Sequence, residues 1–368
     1  MKRKKIMAVF GTRPEAVKMC PLVWELKRRD RADICVCVTG QHKELLWDVM
    51  RELEVIADCD LGIMKSSQTL FDITAGVLEG LKKVLISERP DIVLVHGDTS
   101  TALAVSLACF YLGIPVAHVE AGLRTGNIRS PFPEEFNRRA ISLTASCHFA
   151  PTETAAENLL REGVPTSCVF VTGNTVVDTV KYTLKKDYAH PLLEGTDGKR
   201  IVFLTAHRRE SLGAPLEQML SAVRQVTEAY NDVLVIYPVH PNPCVTTVAE
   251  TILGDCPRVR LCSPLGVIDC HNIMARSHIL LTDSGGLQEE GAALRKPVLI
   301  MRNVTERPEG LAAGVARLVG TETESVFFAV CSLLDNSALY SQMSLAPNPY
   351  GDGNASARIA DILEERLL

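Results

Sequence analysis

Short apolar runs rich in valine and isoleucine recur along the chain: IMAVF, DICVCV, DIVLVH, PVAHV, CVFVTG, IVFLTA, VLVIYPV, HILLTD and KPVLIM. Segments of mixed polarity and helical length separate most of them. A strand that is apolar on both faces has no side open to water, so it belongs in a parallel sheet covered by helices above and below. The pattern predicts an α/β fold of the doubly wound kind. Residues 175–199 break the rhythm, because the helix-like TVVDTVKYTLKK gives way to polar HPLLEGTDGKR around the start of the next strand at Ile201. We therefore expect one domain over 1–174 and a second over 175–353, each with its own strands and with the ligand in the cleft between them.

Polar residues fall where such a sheet binds its ligands, beyond the carboxyl ends of the strands. Seven runs lead directly into polar clusters: GTRPEA (11–16), TGQH (39–42), HGDT (96–99), EAGLRT (120–125), TAHRRES (205–211), HPNP (240–243) and TDSGGLQEEG (282–291). One such cluster is an ordinary turn. Seven, drawn from both halves, describe two functional rims.

Composition narrows the classes. Thirty-nine Lys and Arg against 44 Asp and Glu give a net charge of -5, which argues against a nucleic-acid binder that works by neutralising phosphates. The basic start MKRKK precedes an apolar run too short for a signal peptide. The longest apolar stretch, 102–117, contains Gly113 and Pro115 and falls short of the roughly 20 residues a membrane span needs. Twelve cysteines include no C-x-x-C pair, and most lie within apolar runs, so they read as free thiols in a reducing, cytoplasmic compartment. Cys256, Cys262, Cys270 and His271 lack the paired spacing of a metal site.

The clusters differ in the chemistry they support. Asp283, Ser284, Gly285 and Gly286 followed by LQEEGAAL form a strand end, a glycine turn and a helix start, whose free N–H groups suit a phosphate. A plain helix cap is the structural alternative. Glu289 or Glu290 in that helix is placed to accept from ribose hydroxyls. Arg13 offers a planar guanidinium to a diphosphate, and His207 with Arg208 and Arg209 adds donors from the second half. Asp98, Glu120 and Glu134 are candidates for proton transfer in the first half. Asp98 has the competing role of capping the following helix, and Glu134 that of pairing with Arg138. Glu120 has no obvious partner in sequence. Neither G-x-x-x-x-G-K-[ST] nor a G-x-G-x-x-G between strand and helix is present, so the Y-x-x-x-K spacing of Tyr182 and Lys186 does not signal a nicotinamide enzyme.

Twelve segments, in order over nearly the whole chain, carry a family resemblance: GTRPEA, TGQH, HGDT, HVEAGLRT, PFPEEFNRR, APTE, TGNTVVDT, TAHRRES, PVHPNP, DSGGLQEEG, RNVTERPEG and NPYGDGNAS. Together they resemble the non-hydrolysing UDP-N-acetylglucosamine 2-epimerases. The resemblance implies two Rossmann-like domains in the glycosyltransferase-B arrangement, with a terminal helix at about 354–368 crossing back onto the first. It implies interconversion of UDP-N-acetylglucosamine and UDP-N-acetylmannosamine by elimination and re-addition of UDP through 2-acetamidoglucal, with no cofactor and no metal. Carried over position by position, it gives catalytic roles to Asp98, Glu120, Glu134 and His207, and UDP contacts to Arg13, His207, Ser284, Gly285, Gly286 and Glu290. Which carboxylate serves which face of the sugar stays open.

Relatives of this kind are commonly activated by their own substrate at an adjacent site, which here falls to Gln41, His42, Gln68, Glu134, Arg208 and His240. Ser67 replaces the arginine that some relatives carry before the matching glutamine. A homodimer, without nucleic-acid or membrane partners, is implied as well. The principal alternative is a glycosyltransferase of the same architecture, for which Glu44 and Glu52 have a suitable E-x7-E spacing but lie in the first half, away from the expected donor site.

Overall fold

The computed structural model describes residues 3–40, 43–64 and 68–367, with the backbone alone at 43, 44 and 209. It divides into two compact units, Met1–Lys181 with Gly351–Leu368, and Tyr182–Tyr350.

The first unit holds a seven-stranded sheet of β1 (Lys5–Phe10), β2 (Asp33–Val38), β3 (Cys59–Asp60), β4 (Ile92–His96), β5 (Val116–Val119), β6 (Cys147–Ala150) and β7 (Val169–Val171), in the order β3-β2-β1-β4-β5-β6-β7. Every described pairing in it is parallel. One face of the central strands, with Met7, Val9, Val93 and Val95, packs on Ile73, Val77 and Leu81 of the helix Leu70–Glu88 and on Ala104, Val105 and Ala108 of the helix Ser100–Leu112. The small side chains of the second helix bring it close to the first. The helix Ala355–Leu367 also belongs to this unit: Asp178 accepts hydrogen bonds from the N–H groups of Ala355 and Ser356 at 3.2 and 2.8 Å, satisfying its exposed amino end.

The second unit holds a six-stranded sheet of β8 (Arg200–Thr205), β9 (Val233–Pro238), β10 (Val259–Cys262), β11 (Ile279–Thr282), β12 (Val298–Ile300) and β13 (Ala316–Leu318), in the order β10-β9-β8-β11-β12-β13. Its described pairings are parallel too. Val202, Leu204, Val235, Tyr237 and Leu281 pack on Leu216, Leu220 and Val223 of the helix Ala214–Ala229 and on Val326 and Val330 of the helix Thr323–Asp335.

In each sheet the chain order reverses between two neighbouring strands, β1 and β4 in the first and β8 and β11 in the second. The loops leaving those strands diverge, and the crevice between them is where open α/β sheets bind ligands. Among the described residues no helix is long and apolar enough to cross a membrane.

Four strands escape the apolar-run pattern. β3, β10 and β13 are edge strands of two to four residues, where one side lacks a neighbour and a polar position is tolerated. β6 is internal, yet reads CHFA. Burial pushes the His148 imidazole down to about 4, so it enters the core uncharged.

Beyond β5 the backbone turns sharply, with Glu120 at φ 62° and Gly122 at φ 91°. A β-carbon on Gly122 would stand 2.1 Å from the carbonyl oxygen of Ala155, so both the dihedral and the space demand glycine. Gly122→Ala is expected to destabilise the first unit by about 3 kcal/mol or more, and to lower its melting temperature by roughly 6–12 °C. Unchanged melting by calorimetry would show that the turn relaxes at little cost.

Candidate functional site

At the end of β1, Gly11 and Thr12 lead into the helix Arg13–Arg29. Glu15, one turn in, is buried and folds back over this loop. Its Oε2 accepts from the N–H of Gly11 (3.0 Å), the N–H of Thr12 (2.8 Å) and the Thr12 hydroxyl (2.8 Å), while Oε1 accepts from the Thr99 hydroxyl at 2.8 Å. One carboxylate thus ties the loop after β1 to the loop after β4. Burial raises the Glu15 carboxyl above its usual range, against the opposing pull of hydrogen bonds from Gly11, Thr12 and Thr99. Arg13 occupies the first helical position, half-buried.

Thr99, not Asp98, caps the helix Ser100–Leu112, accepting from the N–H of Ala102 at 3.0 Å. Asp98 is therefore left to other work: its side chain pairs with Arg138, and its carbonyl accepts from Asn137 at 2.8 Å. Arg138 also bonds Glu135 at 3.2 Å. The pairing that sequence spacing allows for Glu134 is made by Glu135, three residues from Arg138 on the same helix, Glu134–Thr144. Glu134 Oε2 is buried and has no hydrogen-bond partner among the described residues.

Glu120 acquires the partners that its sequence neighbours do not supply. Its carboxylate pairs with Lys18, accepts from Asn174 Nδ2 at 2.7 Å, and lies 3.8 Å from His96 Nε2. Its Oε1 is 3.7 Å from where a β-carbon on Gly97 would stand, next to Asp98. His118 donates from Nε2 to the carbonyl of Gly97 at 2.7 Å, and burial pushes its imidazole down to about 3, which keeps it neutral. The ends of β4 and β5 and the helix Glu134–Thr144 accordingly carry Asp98, Glu120 and Glu134 in one connected region of the first unit.

In the second unit Asp283 plays the part that Glu15 plays in the first. It is 0% exposed, and its Oδ2 accepts from the N–H groups of His207 and Arg208 at 2.7 and 2.8 Å, tying the loop after β8 to the loop after β11. The Thr205 and Thr282 hydroxyls meet at 2.6 Å beneath it. Ser284 stands at the cap position of the helix Gly285–Ala293 but makes no side-chain cap bond, so the helix-start N–H groups are not occupied by that hydroxyl. Gly285 lets the Arg307 guanidinium approach closely: a β-carbon would stand 2.7 Å from Arg307 Nη1 and would have to push that side chain aside. Of the two glutamates in this helix, Glu289 is buried against Arg307 Nε at 2.6 Å, whereas Glu290 retains some exposure and lies 3.6 Å from His271 Nε2. The His207 and His240 rings stack with centroids 5.4 Å apart.

The residues sequence reasoning passes over are those that hold the candidates in place. Lys18 and Asn174 surround Glu120, and Arg138, expected beside Glu134, steadies Asp98 instead. In the second unit Glu306 binds Arg302 at 2.9 Å and Arg307 at 3.1 Å and stands 3.6 Å from Arg208. A lysine inside the apolar run AVKMCPLV is a signal for the first. RNVTERPEG contains Arg302, Glu306 and Arg307, but spacing assigns them no role. Of the positions matched to a second substrate site, Gln41 and His42 lie outside the described residues, as does Ser67. Gln68 donates to the carbonyl of Ile63, and His240 Nδ1 accepts from the N–H of Asn242 at 3.2 Å. No group of three or more metal-binding side chains is gathered among the described residues.

Burial opposes ionisation of Glu306, but Arg307, Arg302 and Arg208 outweigh it and hold the carboxyl down at about 2. A carboxyl depressed on folding contributes stability above its unfolded value, here 4.5, and loses it as the pH falls toward the folded value. Glu306→Gln is expected to cost roughly 2–3 kcal/mol at neutral pH, and to flatten the decline in melting temperature between about pH 5 and pH 2. Identical acid limbs for the two proteins would show that Glu306 is not ionised by this cluster.

A family model described as UDP-N-acetylglucosamine 2-epimerase matches residues 24–364. The chain is 51% identical to the UDP-N-acetylglucosamine 2-epimerase of Bacillus subtilis (strain 168), covering 99% of this chain and 96% of that protein. It is similar to the UDP-bound Staphylococcus aureus MnaA structure, with TM-score 0.94 and 46% identity over 99% of this chain and 97% of that one. The UDP-GlcNAc 2-epimerase of Neisseria meningitidis bound to UDP-GlcNAc matches with TM-score 0.92 and 42% identity over 98% of this chain and all of that one. Both sheets, the parallel Rossmann-like topology and the full-length identity converge: the chain belongs to the UDP-N-acetylglucosamine 2-epimerase family.

Proposed function

We propose that this epimerase acts on UDP-N-acetylglucosamine without hydrolysing it, and that it inverts carbon 2 by eliminating UDP and adding it back. The C2 hydrogen of the sugar is not next to a carbonyl, so direct deprotonation would give an unstabilised carbanion behind a very high barrier. Departure of UDP from C1 first creates an oxocarbenium-like centre that acidifies the C2 proton. Its loss gives 2-acetamidoglucal. Protonation from the opposite face and return of UDP to C1 then complete UDP-N-acetylmannosamine, and the atoms balance without redox chemistry.

In this reading the Ser284 hydroxyl, which makes no cap bond, and the N–H groups at Gly285 and Gly286, with Arg13 and His207, stabilise charge on the departing diphosphate, while the Ser284 N–H is held by the Thr282 hydroxyl at 2.9 Å. Glu290 holds the ribose. Asp98, Glu120 and Glu134 supply the proton transfers at C2. The observation that carries the assignment is that these carboxylates are grouped at one strand-end region and none of them caps a helix, with a buried oxygen of Glu134 left without a partner among the described residues. The substrate follows from the N. meningitidis relative, whose structure holds UDP-GlcNAc. By family likeness, Gln68, Glu134, Arg208 and His240, with Gln41 and His42, form a second site at which substrate activates the enzyme, which works as a homodimer.

Incubation with UDP-N-acetylglucosamine in deuterated water, followed by NMR, is expected to show UDP-N-acetylmannosamine with deuterium at C2. Free N-acetylmannosamine would instead indicate hydrolysis, and absence of exchange would favour a glycosyltransferase. Glu120→Gln is expected to lower kcat by about 10²–10⁴-fold while UDP affinity, measured by calorimetry, stays near that of the parent. Near-normal turnover would remove Glu120 from the mechanism.

A further inference from the structure

The loop tie made by Asp283 uses only one of its two oxygens. Oδ2 alone accepts both backbone bonds, from His207 and Arg208. Oδ1 is buried and has no hydrogen-bond partner among the described residues, which in a native interior calls for an explanation. It lies 3.7 Å from His207 Nδ1, beyond hydrogen-bond distance but within reach of a small rotation of the ring.

The surroundings restrict that ring. His240, from the loop after β9, stacks on it with only 9° between the planes, and the Asn242 N–H on His240 Nδ1 fixes the tautomer of the second ring. From β9, Tyr237 donates to the carbonyl of Ala206 at 3.0 Å and so holds the residue before His207. The neighbouring guanidinium of Arg208 is directed to Glu306, 3.6 Å away. Asp283 thus places a buried carboxylate oxygen 3.7 Å from His207 Nδ1, and it immediately precedes Ser284 at the proposed diphosphate turn.

We infer that Asp283 is a positioning residue for His207, its Oδ1 accepting the Nδ1–H when the ligand draws the loop together and so presenting Nε2 to the diphosphate. The inference rests on the proposed place of His207 beside that group. A carboxylate on one imidazole nitrogen fixes the tautomer, orients the ring and favours its protonated form, so the other nitrogen faces the reaction as a donor.

Asp283→Asn separates this role from that of a loop tie. An asparagine oxygen still accepts the two backbone bonds, but its NH₂ group faces Nδ1 and favours hydrogen on Nε2 in the neutral ring. With UDP bound, ¹⁵N NMR of the parent enzyme is expected to show His207 carrying hydrogen on Nδ1, and the variant to show it moved to Nε2. Turnover should fall about 10- to 100-fold, with KM changed far less and with the high-pH limb of the rate profile displaced to lower pH. In a His207→Asn background the same substitution should change kcat by less than about 3-fold, because the partner through which it acts is gone. A full loss in that background, or an unaltered ¹⁵N pattern in Asp283→Asn, overturns the inference. If the variant does not fold, the parent spectrum decides, since hydrogen on Nε2 alone in the UDP complex overturns it equally. Should His207→Asn by itself retain normal turnover, the role of His207 in the reaction fails, while the ¹⁵N pattern still judges Asp283.

Discussion

Each sheet depends on a buried carboxylate placed across the point where its strand order reverses. Glu15 binds the loops after β1 and β4, and Asp283 those after β8 and β11. These neighbouring loops leave the sheet in different directions, so without a tie the crevice between them would have no fixed width. Each carboxyl group gathers several N–H or hydroxyl donors that a loop otherwise leaves unsatisfied. The two units reach the same result from opposite sides. Glu15 reaches from a helix after the first strand toward Thr99, whereas Asp283 reaches from the later strand back to His207 and Arg208.

Once the crevice is fixed, a second layer of charges sets the side chains that line it. Lys18 and Asn174 hold Glu120, whose backbone already lies in the left-handed region at φ 62°. Arg138 is shared between Asp98 and Glu135, and Glu306 binds both Arg302 and Arg307, the latter beside Gly285. Such buried networks are strong only when both signs are present, because a lone buried charge is heavily disfavoured. Glu120 and Asp98 are therefore each supported by a partner of opposite charge that takes no part in the proposed chemistry.

Much of the fold was legible because apolar runs of this length have few other uses, and the two-sheet α/β class follows from them. What escaped was set by context: the short edge strands β3, β10 and β13, and β6, whose histidine is admitted to the core by losing its charge. Local competition between adjacent residues was equally hidden. Thr99 takes the cap that Asp98 is also able to fill, and Glu135 takes the arginine that Glu134 is spaced to bind. Lys18 and Glu120 are 102 positions apart, so nothing near either residue reveals the pair. The motifs marked which loops matter, and the family resemblance suggested roles, but only folding shows which side chains in those loops already have partners.

The helix Ala355–Leu367, docked on the first unit and capped by Asp178, makes the second unit an insertion within the first. A chain emerging from the ribosome must therefore finish the inserted sheet before it has made the helix that completes the earlier one. The second sheet is able to close as soon as its own strands exist, while the first waits with one flank uncovered. Vectorial synthesis thus makes the amino-terminal unit, although begun first, the last to receive all of its own chain.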